Sequence, residues 1–252
     1  MLSGKIVWVT GAGSGIGRAT AIAFAAEGAK VALTGRTVAA LEETAGMLPK
    51  GSALVAPADV TDVAQVTAAH QSIVKAWGDP QVLVNNAGFN LPKRHWRELT
   101  PDGAASVINA NLYGPFICTL AVLPAMRKAG SGLLVHVVSF AGHQIGFVSG
   151  PSYTASKTGA VAMSATINAE EGIHGIRSVC ISPGEVATPI LDRRPKPPSA
   201  EDRAKMLQPE DVASCAVFAA KMPQRACPME IVLVPTDNNT YRRGAQAIAA
   251  RP

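Results

Sequence analysis

The sequence predicts an α/β protein built on a doubly wound parallel sheet of seven strands with helices on both faces. Three observations predict it. Seven short β-rich runs recur along the chain, and longer alanine-rich stretches with helical spacing lie between them. The 252 residues, 48% hydrophobic and 16% charged, suffice to bury a substantial core as one large domain spanning 1–252. Strand alternating with helix argues for βαβ units, which place ligands at the carboxyl ends of the strands where the winding reverses.

Taken in order, the strand runs are Ile6–Val9, Val31–Leu33, Ala53–Ala56, Val82–Val84, Leu133–Val138, Ser178–Ile181 and Ile231–Val234. Helical spacing marks Ile16–Glu27, Val38–Leu48, Val63–Trp77, Ala104–Met126 and Tyr153–Glu171. No repeat or low-complexity segment interrupts this rhythm. The one compositional break is Arg193–Ser199, "RRPKPPS", whose prolines disfavour a helix and predict a surface loop.

The formal charge is +5, yet apart from Arg193, Arg194 and Lys196 the basic residues are scattered, so no nucleic-acid surface is expected. Cys118, Cys180, Cys215 and Cys227 are far apart and no histidines stand at metal-ligand spacing. Neither a disulfide framework nor a metal site is indicated, and a reducing cytoplasm fits. No run approaches the roughly 18 apolar residues of a membrane span, so no membrane association is expected.

Two stretches carry chemistry. "VWVTGAGSGIGRATAIAFA" runs from a strand through Gly11, Gly13, Gly15 and Gly17 into a helix. Glycines let the backbone approach a pyrophosphate, and the helix N-terminus offers free N–H groups and a favourable dipole. With a strand before and a helix after, the turn reads as a dinucleotide cradle. At the end of the second strand, "VALTGRT", no acidic residue awaits a ribose 2′-hydroxyl. Gly35 leaves space and Arg36 follows, a guanidinium suited to a 2′-phosphate, which favours NADP(H) over NAD(H). Arg36 stacked on an adenine or exposed to solvent is the competing reading.

In "PSYTASKTGA", Tyr153 precedes Lys157 by four residues. On a helix these positions share a face about 5–6 Å apart. An unperturbed tyrosine has a pKa of about 10, and a neighbouring cation favours the phenolate, so the pair suggests a general acid/base.

Together these features resemble the short-chain dehydrogenase/reductase family over roughly residues 4 to 235. "TGAGSGIG" at 10–17 matches the family's glycine turn, placing Gly11, Gly13, Ser14, Gly15, Ile16 and Gly17 at the cofactor. "NNAG" at 85–88, with Asn86, Ala87 and Gly88, matches the motif closing the fourth strand. Asp59 and Val60 match the adenine-contacting pair. "PGEVATP" at 183–189 resembles the segment, here Pro183, Gly184, Val186 and Thr188, that meets the nicotinamide carboxamide.

The resemblance implies a Rossmann-type fold and a catalytic set of Asn111, Ser139, Tyr153 and Lys157. Tyr153 would exchange a proton with the substrate oxygen while hydride moves to or from the nicotinamide. Lys157 would lower the Tyr153 pKa and bind the ribose hydroxyls, Ser139 would donate to the substrate oxygen, and Asn111 would hold a water that relays protons from Lys157. Taken singly, Ser139 also reads as a strand-end cap, Asn111 as a helix side chain bonded to backbone, and Asn85–Asn86 as turn residues.

The resemblance also implies a substrate pocket drawn from Phe89, His95, Trp96, Phe140, His143, Gln144, Phe147 and Glu185. It implies a lid over 190–207 and assembly as a homotetramer or homodimer through the Ala104–Met126 and Tyr153–Glu171 helices. Two departures stand out: the interval from Ser139 to Tyr153 is one residue longer than usual, and "MEIVLVPTDNN" replaces the usual Asp-Gly-Gly ending of the last strand. The expected activity is interconversion of a secondary alcohol with a carbonyl. A non-catalytic dinucleotide-binding regulator, or epimerisation or dehalogenation on the same scaffold, are the competing classes.

Overall fold

The computed structural model describes residues 2–193 and 197–237. Its strands are β1 (Ile6–Thr10), β2 (Lys30–Thr34), β3 (Ala53–Val55), β4 (Val82–Asn85), β5 (Gly132–Val137), β6 (Ile176–Pro183) and β7 (Glu230–Leu233). They form one sheet in the order β3-β2-β1-β4-β5-β6-β7, every pair parallel. The winding reverses between β1 and β4, where Trp8 is paired with Leu83. All seven expected strands are present.

The period-2 geometry of a strand sends alternate side chains to opposite faces. Val7 and Val9 of β1, Val84 of β4, Val135 of β5 and Val179 of β6 join one core with Phe24 and Leu41. Trp8, Leu83 and Leu134 point the other way, into a second core with Ile73, Val122, Met126 and Ile167. Each such fully buried aliphatic or aromatic side chain contributes about 1.5–3 kcal/mol. The polar end of Trp8 is satisfied as well: its Nε1 donates to Thr34 Oγ1 at 2.8 Å, and its ring stacks on His70 with centroids 5.7 Å apart.

The helices are α1 (Gly15–Ala26), α2 (Val38–Gly46), α3 (Val63–Trp77), α4 (Pro101–Ile108), α5 (Gly114–Ala129), α6 (Pro151–Glu171), α7 (Ala200–Ala204) and α8 (Pro209–Lys221). Asp62 caps α3 by accepting from Gln65 N, and Thr100 caps α4 by accepting from Gly103 N. The α7 and α8 helices were not among the expected elements. The predicted Ala104–Met126 helix starts earlier, at Pro101, and is broken by a π-helical turn at Asn109–Tyr113.

That continuous run, Pro101–Ala129, corrects the expectation that nothing here is long and apolar enough to span a membrane. It passes on length and on an 18-residue window with a mean hydropathy of 1.4, but 56% of that window is buried inside the fold. Val107, Cys118, Val122 and Met126 pack it into the interior, as befits a core helix. Residues 194–196 and 238–252 lie outside the described residues, and with them Arg194, Lys196 and the end of the atypical C-terminal segment.

His136 on β5 sits buried, its Nδ1 3.3 Å from Asn85 Nδ2. Burial, then the charge of Lys157, pushes its pKa down to about 4. Its folded value lies below its unfolded one, so the associated stability is complete above about pH 6.5 and is lost as pH falls through about 4. Unfolding free energies from urea titrations between pH 7 and 4 are expected to fall less steeply in His136→Leu than in the wild type, by an amount on the order of 3 kcal/mol over the window. Parallel curves would remove His136 from the acid response.

Candidate active site

Most of the residues expected to hold the cofactor, with Ser139, Tyr153 and Lys157, line the carboxyl edge of the sheet at the β1/β4 reversal. Two adjoining cavities open there, of about 310 and 550 Å³, and share Gly11, Ser14, Ala87, Gly88, Pro189 and Ile190 on their common wall. The larger continues past Gly35, Arg36, Asp59 and Val60, and the smaller past Ser139, Tyr153, Lys157 and the 183–191 segment.

The glycine turn is shaped by absent side chains. A Cβ on Gly17 would stand 2.2 Å from Gly11 O, and one on Gly11, where φ is +64°, would lie 2.8 Å from Asn86 Nδ2. Ser14, the N-cap of α1, makes no side-chain capping bond, and the first turn of that helix carries no acidic residue. The free N–H groups of α1 therefore face the cleft, a setting that favours an anion. Gly11, Ser14, Gly15 and Ile16 line the cavities, whereas Gly13 and Gly17 stand behind, Gly13 packed towards Ala40. This cradle fits the pyrophosphate of a dinucleotide.

At the far end, Arg36 is largely exposed, 68% for its side chain, and its Nη1 lies 3.9 Å from Asp59 Oδ2. Asp59 is itself held, its Oδ1 accepting from Thr61 N at 2.9 Å and Thr61 Oγ1 at 2.8 Å. The guanidinium thus reaches over the larger cavity from a surface position.

The π-helical turn brings Asn111 inward. Its Oδ1 accepts from Phe89 N at 2.9 Å and its Nδ2 donates to Phe89 O at 3.0 Å, which fixes the chain leaving β4. π-Turns widen a helix by one residue and recur at functional positions. Ser139 lines the smaller cavity while its Oγ accepts from Ala141 N at 3.1 Å, so the capping and cleft-lining positions coincide.

The α6 helix carries both members of the Tyr-Lys pair into the cleft. The Lys157 ammonium lies 5.6 Å from the Tyr153 ring centroid and donates to Val137 O at 2.9 Å. It is buried, and desolvation pulls its pKa down to about 8.

The proposed substrate residues divide. Glu185 lines the smaller cavity, but Phe140 and His143 do not, and Phe147 is 97% exposed. His143 is drawn off by Ser182, whose Oγ lies 2.8 Å from its Nε2. Of the wider set, Phe89 borders the larger cavity and Trp96 is 81% exposed. Sequence reasoning missed Asn90, Arg94, Val148 and Ser149, all on the wall of the smaller cavity. The segment expected as a lid is pinned at its base: Leu207 N donates to Glu185 O at 3.0 Å, Ala187 N donates to Leu207 O at 2.8 Å, and Arg203 bonds Asp192.

Fold and cleft define a Rossmann-type α/β protein. The model of the short chain dehydrogenase family matches residues 5–198, and the chain belongs to that family. It is an oxidoreductase acting on CH–OH groups with a nicotinamide dinucleotide. It is similar to levodione reductase of Leifsonia aquatica, 35% identical over 217 residues, covering 84% of this chain and 77% of that one. Among solved structures it resembles the alcohol dehydrogenase of Thermococcus sibiricus complexed with 5-hydroxy-NADP, with a TM-score of 0.82 at 28% identity over 92% of this chain and 97% of that one. It also resembles the 3-ketoacyl-(acyl-carrier-protein) reductase of Brucella melitensis complexed with NADH, with a TM-score of 0.85 at 27% identity, covering 94% and 99% of the two chains.

The Lys157 pKa, depressed when folded, means that the unfolded chain binds the extra proton between about pH 8 and 10.5. The cost of burying this cation is complete below pH 8 and disappears as pH rises to 10.5. In the cofactor-free protein, the stability of Lys157→Met relative to the wild type is expected to be highest at pH 7 and to shrink steadily up to pH 10.5. A pH-independent difference in denaturant midpoint would contradict it.

Proposed function

We propose that the protein is an NADP(H)-dependent oxidoreductase interconverting a secondary alcohol and a ketone or aldehyde carbonyl, with Tyr153 as general acid/base. The observation that carries this reading is that Ser139, Tyr153 and Lys157 line the same cavity as Gly11, Ser14, Gly15 and Ile16 of the glycine turn. A nicotinamide dinucleotide, when bound, supplies or accepts the hydride.

The chain's own residues do the rest. Gly11, Ser14, Gly15 and Ile16 hold the pyrophosphate through backbone N–H groups, Asp59, Val60, Asn86, Ala87 and Gly88 border the adenosine side, and Pro183, Gly184, Val186 and Thr188 meet the carboxamide. Tyr153 passes its phenolic proton to the substrate oxygen, or takes it back in the reverse direction. Ser139 donates a hydrogen bond to that oxygen and stabilises the charge that develops there. The Lys157 cation beside the ring favours negative charge on the phenol oxygen. Asn111 keeps one lone pair on Oδ1 beyond its Phe89 bond, enough to hold a water that returns protons to Lys157.

The same reading takes 190–207 as a lid within a single domain and places the protein, with four free cysteines, in a reducing cytoplasm. Assembly as a homotetramer or homodimer would cover Tyr113, Phe116 and Leu120, which stand exposed on the long central helix.

Replacing Tyr153 with phenylalanine removes only the hydroxyl. The variant is expected to lose about 10²–10⁴-fold in turnover while binding the dinucleotide as the wild type does, measured by fluorescence titration. Retained turnover would sink the acid/base assignment, and lost binding would make Tyr153 a structural residue.

Arg36→Ala tests the dinucleotide preference separately. A charge-assisted bond to a 2′-phosphate is worth about 1.5–3 kcal/mol, so KM for NADPH is expected to rise about tenfold or more while KM for NADH stays put. Equal rates with both dinucleotides in the wild type would sink the Arg36 argument, and a faster rate with NADH would favour the NAD(H) alternative.

A further inference from the structure

His143 stands outside the cavity it was expected to line, and it fastens two parts of that cavity together. It ends the short helical turn Phe140–Gly142 that follows Ser139. Its Nε2 lies 2.8 Å from the hydroxyl of Ser182 on β6. Ser182 is fully buried and, among the described residues, its Oγ makes no other hydrogen bond. A buried hydroxyl without a partner gives up its hydration for nothing, and the imidazole meets that need in either tautomer, accepting at Nε2 or donating from it. The other ring nitrogen does less: Nδ1 is 3.8 Å from Glu230 Oε2, beyond hydrogen-bond reach, and the Glu230 side chain is 49% exposed.

The two partners belong to opposite ends of the reacting centre. Ser139, four residues before His143, lines the smaller cavity, and so do Pro183 and Gly184, directly after Ser182. The turn between Ser139 and His143 is closed by its own backbone, Gly142 N donating to Ser139 O at 2.9 Å and His143 N to Phe140 O at 3.0 Å. A shift of His143 therefore carries through to Ser139.

The same turn is held on α6 as well. Thr158 Oγ1 donates to Gly142 O at 3.2 Å, and a Cβ on Gly142 would lie 3.0 Å from Lys157 O. Backbone contact thus sets the turn against the helix of the Tyr-Lys pair, and the His143 side chain sets it against β6. The β6 end is itself firm: Ser182 is paired with Val232 of β7, and Gly184 N donates to Leu233 O at 2.8 Å. An anchor on a strand holds a functional group more closely than one on a loop.

We propose that His143 is a positioning residue, whose bond to Ser182 fixes the Ser139 hydroxyl relative to the Pro183–Gly184 segment. It thereby sets the substrate oxygen against the nicotinamide. This rests on the roles given above to Ser139 and to the 183–188 segment. His143 touches neither substrate nor dinucleotide, and no proton or hydride passes through it. Its effect is on geometry, to which the rate is steeply sensitive: a misplacement of about 1 Å can cost on the order of 10²-fold.

Single-turnover stopped flow separates positioning from folding. Enzyme loaded with NADPH is mixed with saturating diacetyl or benzaldehyde, and the loss of NADPH absorbance is followed. The amplitude counts competent sites, and the rate constant reports hydride transfer. His143→Leu and Ser182→Ala are each expected to slow the rate constant about tenfold at nearly full amplitude, with NADPH binding little changed. The double variant is expected to be no slower than either single one, since both remove the same bond. His143→Gln, whose amide nitrogen reaches about as far as Nε2, is expected to recover most of the rate. Ser182→Ala removes a single oxygen and keeps the test decisive if His143→Leu fails to fold.

An unchanged rate constant in the variants, with or without a lower amplitude, overturns the proposal, because a role in folding alone changes only the count of sites. Losses that multiply in the double variant overturn it too. Hydrogen exchange gives a readout that needs no substrate: the amides of 140–144 are expected to exchange about tenfold or more faster in His143→Leu and in Ser182→Ala, and near the wild-type rate in His143→Gln. Should the wild type turn over neither carbonyl, that result counts against the carbonyl–alcohol reading, and exchange decides His143 by itself. Faster exchange in both variants then supports the tie, and unchanged protection overturns it.

Discussion

The site depends on a lock between the two turns that leave β1 and β4. Thr10 Oγ1 accepts from Asn86 N at 3.0 Å and from Ala87 N at 3.1 Å, and donates to Val84 O at 3.2 Å. Asn86 returns the tie, its Nδ2 donating to Thr10 O at 3.0 Å and Gly11 O at 3.3 Å. At this reversal the following helices depart to opposite faces, so a crevice opens above the strands. The lock sets its width, because it draws the 86–87 backbone against a glycine turn that has no side chain to resist. Each of these groups left unmet in the interior would cost about 1–3 kcal/mol.

From that point the walls of the cleft follow one another along the chain leaving β4. Asn86 is fixed by Thr10, Phe89 by Asn111, and Asn90 by Ser149. Asn111 can reach Phe89 because a π-turn carries it inward, and the helix after that turn comes close because residue 114 is a glycine, where a Cβ would lie 2.8 Å from Val60 Cγ2. A run of seemingly separate motif residues is thus one mechanical chain, joining the Val60 side of the cleft to the helix bearing Tyr153 and Lys157. This is the sense in which fold and function share residues here: the backbone bonds that stabilise the crossover are the ones that aim the side chains.

The sheet was legible because its strands read as short β-rich runs, the first five each followed by a stretch with helical spacing. The α7 and α8 helices were not, since α7 has five residues and follows a proline-rich stretch that reads as loop. The glycine turn and the Tyr-Lys pair were legible because each demands a particular residue type at a fixed spacing. The substrate wall was not, because it depends on which members of irregular loops turn inward. In "KRHW" the aromatic and the histidine drew attention, yet His95 and Trp96 face solvent and Arg94 is inside. The Arg94 backbone passes close to Gly150, where a Cβ would meet Arg94 O at 2.4 Å, and no local pattern announces that distant approach. Phe147 failed as a pocket residue for a related reason: apolar character says nothing about direction in a loop that no regular element orients.

The α6 helix shows how the molecule tolerates an unfavourable group at the cleft. Near its C-terminal end Glu171 accepts from Arg127 Nε at 2.8 Å and from Arg127 Nη2 at 2.5 Å, a bidentate pair that ties α6 to α5. In its middle, Ser164 Oγ lies 2.7 Å from Ser178 Oγ, and Asn168 bonds the Ser178 backbone on both its N–H and its carbonyl, fastening the helix to β6. Against these anchors the same helix buries Lys157, which donates to a backbone carbonyl and, among the described residues, forms no ion pair. A cation placed so gains little from the protein and loses its hydration, which is why its pKa falls. The anchors lie along the distal two-thirds of α6 and the strained cation in its first two turns, so the cost is carried where the cleft opens. A buried ammonium in that position has most to gain from a polar ligand, and the rest of the helix is fastened firmly enough to hold it there.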